Sequence, residues 1–309
     1  MDEDKKVNKY SFFYVSMINE RYYFLFAVAL VWIIFATIQD LRKREVANWL
    51  NFSLIAVALS YRVFYSSFNN DWSFLLYGIY GFALFFVLGY LFYYGRVFAG
   101  GDSKLLIALG AILPFERMSD LFYVTLGFLF VLFLIGTIYS LIYSVVISIA
   151  QRKQFVKEFG VRIRNSRVVG AIVLALVIIL IVMEGIVQGN WNFSIISSLG
   201  IVLLGLLYVY LMAVDKCMIA FRAPGKLTEG DWILSDIKVG GRWIRKSVHG
   251  LSLEEIQLLK KSGKSIYVKD GIPFIPVFLL AFIMVVVLST LLQDFQELFS
   301  EVLSLFLQF

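Results

Sequence analysis

Long apolar runs, each near the roughly 20 residues a helix needs to cross the hydrocarbon core of a bilayer, recur along this chain. They fall near residues 22–39, 48–66, 73–94, 119–148, 168–188, 193–214 and 274–292. A soluble domain is typically about 45–50% apolar, whereas hydrophobic residues make up 60% of this chain. The sequence therefore reads as a polytopic membrane protein. The run at 103–113 is too short for an ordinary span and is closed by Pro114, Glu116 and Arg117, so it reads as a short helix enclosed by protein. The expected fold is an all-α membrane bundle of about eight helices, one of them short, with a small α+β insert.

Three regions follow: 1–214 as the membrane bundle, 215–272 as a small cytoplasmic α+β insert, and 273–309 as the last membrane helix with an amphipathic tail. In the insert, strands are expected over 231–239 and 242–246 around Gly240-Gly241, a hairpin signal. Ser252 and Glu255 form a capping-box pattern ahead of a helix stopped by Gly263, and 265–269 reads as a further strand.

The net charge of +6 could indicate a nucleic-acid partner, but basic residues in a membrane chain chiefly report orientation. No nucleic-acid partner is expected. Arg42, Lys43 and Arg44, Arg96, and the basic cluster from Arg152 to Arg167 fall on one side if the short helix crosses. Asp71, Glu116, Asp120 and the acidic tail fall on the other. The positive-inside rule puts the basic side in the cytoplasm, in a multi-pass protein of the cell membrane with its amino terminus outside. The 149–167 stretch reads as a basic loop touching lipid headgroups. No small-residue cleavage site follows the first apolar run, which is expected to be retained. A lone cysteine, Cys217, and a lone histidine, His249, leave no disulfide or His-rich metal site, and neither a metal nor an organic cofactor is expected. Cys217 reads as an interface packing position, His249 as a loop residue and Glu184 as interfacial.

Against this background Asp40 and Asp102 stand out. Asp40 ends the first apolar run, and Asp102 opens the short one after Gly100 and Gly101. On the orientation above, both lie at the cytoplasmic membrane boundary. Carboxylates bordering hydrocarbon are costly and usually serve function. Two adjacent carboxyls can share a proton, so that one activates water while the other polarises a scissile carbonyl. Gly100 and Gly101, lacking a Cβ, would let backbone or substrate approach Asp102 and tolerate positive φ. From the residues alone a plainer account also stands, in which Asp102 caps a helix and Asp40 is a solvated helix end. Helix dipoles would make Asp40, near a helix carboxyl end, the proton donor, and Asp102, at an amino end, the base. Adjacent Ser103 and Lys104 point about 100° apart on a helix and do not form a serine/lysine dyad. Lys104 reads as a headgroup contact or as a cation tuning Asp102.

The runs Ala99-Gly100-Gly101-Asp102-Ser103-Lys104-Leu105-Leu106 and Asp40-Leu41-Arg42-Lys43-Arg44-Glu45-Val46-Ala47-Asn48 resemble the archaeal branch of the type IV prepilin peptidase family, which includes preflagellin peptidases. These are membrane aspartic proteases of the GxGD type. Ile272-Pro273-Phe274-Ile275-Pro276 is similar to the start of the family's proline-containing last core helix, and Leu227-Thr228-Glu229-Gly230-Asp231-Trp232 to a stretch of its archaeal members. The resemblance implies that Asp40 and Asp102 are the catalytic pair, with Gly100, Gly101 and Lys104 in the active-site loop. It further implies an aspartic endopeptidase that removes basic leaders from prepilin or preflagellin (archaellin) precursors, whose hydrophobic helix follows the leader. Ala99 replaces the first glycine of GxGD, and Ala47 a proline common after the first aspartate. The cysteine-pair domain that accompanies methylation in bacterial relatives has no counterpart, so peptidase activity alone is implied. Such leaders are basic, and Glu229, Asp231, Glu254 and Glu255 of the insert are the expected complements. The rival function is an ion- or proton-coupled transporter or channel using the same carboxylates.

Overall fold

The computed structural model describes residues 20–247 and 250–291 of the chain. The readings for the amino-terminal segment before Glu20, for His249 and for the amphipathic tail lie outside the described residues. A 3-10 turn, Glu20–Tyr22, leads into α1 (Tyr23–Lys43), followed by α2 (Asn48–Asn69), α3 (Trp72–Tyr94), α4 (Gly100–Gly110) and α5 (Met118–Ala150). Then come α6 (Arg152–Asn165), α7 (Arg167–Leu180) with a π-helical continuation Ile181–Val187, and α8 (Trp191–Cys217). The strands β1 (Ile219–Arg222), β2 (Trp232–Ile233), β3 (Ile237–Val239) and β4 (Arg242–Ile244) precede α9 (Leu253–Ser262), β5 (Ile266–Lys269) and α10 (Ile275–Leu291). The chain forms two compact units, one up to Tyr139 and again from Pro273, the other Ser140–Ile272.

The fold is mostly helical, with a small strand-containing region. Among the described residues, five helices are long and apolar enough to cross a membrane: Glu20–Lys43, Trp72–Tyr94, Met118–Ala150, Arg167–Val187 and Trp191–Cys217. The other expected spans fall short for identifiable reasons. Helix α2 has the length, but it buries Asn51, Arg62 and Ser66 and so loses apolar character on its protein-facing side. Helix α4 has 11 residues, about 16 Å at 1.5 Å per residue, half of the roughly 30 Å hydrocarbon core. Helix α10 is described over Ile275–Leu291, 17 residues, one short turn below the roughly 20 residues of a span.

In the first unit α4 is enclosed, as its length and sequence suggested. Every residue from Asp102 to Gly110 is buried except Lys104. Glycines on α3 and α4 permit this close packing: a Cβ on Gly89 would lie 2.5 Å from Ile107, and one on Gly110 would lie 2.4 Å from Phe85. The end of α4 is held by Arg62, whose side chain is fully buried. Its Nε donates to the Ala111 carbonyl (2.8 Å), one terminal nitrogen to Phe74 O (2.8 Å) and the other to Leu113 O (3.0 Å). The guanidinium also lies over the rings of Phe74 and Tyr22, 4.5 and 5.5 Å from their centroids. A buried cation is costly unless its hydrogen bonds are met; here carbonyls and ring faces meet them. Beyond it, Arg21 pairs with Asp71 (2.9 Å) and Glu116 (2.7 Å).

In the second unit the stretch expected as a basic loop is a helix, α6. Phe155 and Phe159, one turn apart, stack on each other along it, and Gln151 and Ser166 mark its ends. The sheet has the antiparallel order β1-β5-β2, and β3-β4 form a separate hairpin. At its tip Gly240 and Gly241 take φ of 54° and 85°, the primed-turn geometry that glycine accepts without strain. The expected strand over 231–239 is interrupted into β2 and β3, and β1, directly after α8, was not anticipated. The Ser252/Glu255 capping box forms reciprocally (3.3 and 2.9 Å), and α9 stops at Gly263 in the left-handed region. Two of the acidic residues expected to meet a leader are committed internally. Asp231 accepts the Thr228 N–H (2.9 Å) and lies 3.5 Å from Arg222, and Glu255 accepts the Ser252 N–H.

Candidate active site

Asp40 owes its placement to the buried stripe of α1. Leu25, Ala29, Ile33, Ala36 and Asp40 recur three or four residues apart and all face protein, as one side of an α-helix must. Asp40 is 7% exposed, and its Oδ2 accepts the backbone N–H of Ile275 at 3.0 Å. Ile275 opens α10, where the first-turn amides have no partner within the helix. Pro276, the second residue, has no N–H, and the carboxylate satisfies the amide beside it.

Asp102 is the third residue of α4 and is 8% exposed. Its Oδ2 reaches back to the Ala99 N–H (3.2 Å), while the Ser103 N–H donates to the Ala99 carbonyl (3.0 Å). This is the acidic half of a capping box; Ala99 has no side-chain oxygen for the other half. Phe98, just before this turn, packs its ring 5.6 Å from both Phe274 and Phe278. The loop bearing Asp102 is thereby pinned to the helix end that holds Asp40.

Three expectations change in detail. Helix α1 does end within a turn of Asp40, but the Asp40 carboxylate also sits at the amino end of α10, so both aspartates are at helix amino ends. The dipole contrast behind a proton-donor Asp40 and a base Asp102 is thereby reduced, since the α10 amino end opposes the α1 carboxyl end at Asp40. Neither Gly100 nor Gly101 has positive φ, and an added Cβ would come no nearer than 3.7 Å to another residue. The chain's own packing does not require glycine at either position. The half-buried Lys104 donates from its Nζ to Asn48 Oδ1 (2.6 Å), tying α4 to the start of α2.

Several polar atoms beside these residues in sequence are buried and unpartnered: Thr37 Oγ1 one turn before Asp40, Ser103 Oγ next to Asp102, and Asn51 Nδ2 one turn after Asn48. Among the described residues, no group of three or more His, Cys, Asp or Glu side chains is placed to hold a metal ion. Sequence reasoning missed the Ile275 amide and Arg62. Both left a trace, the prolines flanking position 275 and a lone cation within an apolar run.

Residues 27–145 match the model of the type IV leader peptidase family, a segment that holds both aspartates and ends well before α10. The chain is 35% identical over 95 residues to a preflagellin peptidase of Methanococcus maripaludis, covering 31% of this chain and 40% of that protein. It is 33% identical over 93 residues to that of Methanocaldococcus jannaschii, covering 30% and 39%, and 28% identical over 89 residues to that of Methanococcus voltae, covering 29% and 38%. The chain thus spans about two fifths of the length of the curated relatives it matches. No solved structure matches it. Over residues 27–145, which carry Asp40 and Asp102, this chain matches the type IV leader peptidase family, and about 30% of it is similar to archaeal preflagellin peptidases.

Proposed function

We propose that this protein is a membrane aspartic endopeptidase that cleaves basic leaders from prepilin-like or preflagellin-like precursors at the cytoplasmic face of the membrane. The observation that carries the reading is that Asp40 and Asp102 are both buried, each accepts a backbone N–H, and the turn bearing Asp102 packs through Phe98 on the helix end that holds Asp40. Two carboxyls so placed share one proton. The ionised one takes a proton from water as it attacks the scissile carbonyl, and the protonated one donates its proton to the carbonyl oxygen; on collapse the first passes its new proton to the leaving amine while the second recovers its own from the gem-diol hydroxyl. Because both are held by helix amino ends, their acid and base roles belong to the pair rather than to fixed residues.

Gly100 and Gly101, whose missing Cβ would meet Tyr93 and Val46 only at ordinary contact distance, 3.7 Å, leave the backbone before Asp102 approachable by an extended peptide. The hydrophobic helix that follows the leader in such precursors would stay in the bilayer, with its cytoplasmic end offered to the pair. The bundle then comprises about eight helices, with the polar face of α2 and the short α4 shielded from lipid, and the basic face of α6 lies among lipid headgroups. The test is cleavage of a leader-bearing precursor by purified protein in detergent, where no ion gradient exists. Asp40→Asn and Asp102→Asn should each abolish product. Cleavage surviving either change would overturn the assignment, and gradient-driven ion flux lost in both variants would favour a transporter.

A further inference from the structure

We infer that Arg62 is a positioning residue for Asp102: by gripping the carboxyl end of α4, it fixes the depth at which the helix's amino end presents its carboxylate to Asp40. The proposal rests on the peptidase reading only for its kinetic consequence. The last carbonyls of any helix lack partners within it, and α4 and the turn after it end inside protein rather than in water. Arg62 takes the Ala111 and Leu113 carbonyls of that turn and the Phe74 carbonyl of α3 at 2.8–3.0 Å. One planar group thereby ties together α2, the first turn of α3 and the exit from α4. Gly78 makes room for it, since a Cβ there would lie 2.3 Å from Arg62 Cδ.

Contacts with α3 restrain α4 sideways, but its position along its own axis is set at its ends. At one end is the turn of Ala99 and Asp102; at the other is Arg62. A helix this short moves as a rod, so a slip at Arg62 reappears at Asp102. Lysine cannot replace the guanidinium here, because a single ammonium does not fan out to three carbonyls in one plane.

The test uses the full chain with Cys217, the single cysteine, changed to serine. Asp40→Cys and Asp102→Cys are combined, and a short bis-methanethiosulfonate reagent measures their cross-linking rate with Arg62, Arg62→Lys or Arg62→Gln. The parent should cross-link and both variants should do so at least ~10-fold more slowly, with helical circular dichroism unchanged; misplacement by 1 Å can cost about 100-fold in a reaction. Equal rates, or a parent that does not cross-link, reject the inference. With both aspartates restored, Arg62→Lys should lower kcat for leader cleavage by on the order of 10-fold or more, with KM within about 2-fold. A change confined to KM rejects a positioning role. If neither Arg62 variant folds, Gly110→Ala presses on the same helix end from Phe85, and unaltered cross-linking there also rejects the coupling. If the wild-type protein cuts no leader, the peptidase reading fails while the cross-linking result still decides the role of Arg62.

Discussion

The Asp40 carboxylate and the Ile275 amide meet at 3.0 Å across 235 positions of sequence, so the last described helix supplies one wall of a site whose acids lie in the first half of the chain. Ile275→Pro removes this N–H while leaving a residue suited to the first turn of a helix. A hydrogen bond to a charged group contributes about 1.5–3 kcal/mol. Leader cleavage should fall about 10- to 100-fold with the protein still folded, as judged by circular dichroism. Undiminished cleavage would show that the Asp40–Ile275 bond plays no part in the chemistry.

Gly100 and Gly101 should separate from the packing glycines. A methyl at Gly100 or Gly101 meets nothing closer than 3.7 Å, so Gly101→Ala should leave thermal stability nearly unchanged yet slow cleavage by crowding the peptide. Gly89→Ala should instead cost about 1–3 kcal/mol of stability through overpacking. Gly101→Ala cleaving at the wild-type rate would show that this stretch of backbone is not used by substrate.

Asp71, in the turn before α3, gives a pH signature. The Ser73 hydroxyl, and then the Arg21 guanidinium at 2.9 Å, hold its carboxyl below the ordinary carboxylate range. A depressed folded value means that the stabilisation is present above the unfolded value and is lost as pH falls through the folded one. Asp71→Asn should therefore melt below wild type at neutral pH, and the gap should close on acidification. A gap that widens at low pH would contradict this.

Lys104 is bonded to Asn48 at the surface of the first unit. Lys104→Met should cost at most about 1 kcal/mol of stability and reduce cleavage less than about 10-fold. Complete loss of cleavage in a folded variant would place the ammonium in the chemistry after all.

Much of the site was legible because its signals are local. An aspartate closing one apolar run and another following two glycines are rare in such segments, and the short run at 103–113 announced a helix that only surrounding protein could accommodate. The hairpin at Gly240-Gly241 and the cap at Ser252 were equally plain, since turn and cap chemistry is written within four residues. The basic stretch now seen as α6 was not, because its apolar stripe is short, Phe155 and Phe159 one turn apart, and is outnumbered by basic residues. Nor was the interruption that separates β2 from β3.

The sequence by itself determined that this chain is a membrane protein with two acids at the ends of apolar runs, because hydrophobic length and the cost of charge near hydrocarbon are properties of composition along the chain. Only the tertiary structure decided what those acids touch. Asp40 meets a backbone amide from α10, Asp102 is pinned through Phe98 to that same helix end, and Arg62 anchors the far end of α4. A backbone N–H or carbonyl is identical at every residue, so which one remains unpaired and where it comes to rest is settled by helix ends and packing, not by residue type.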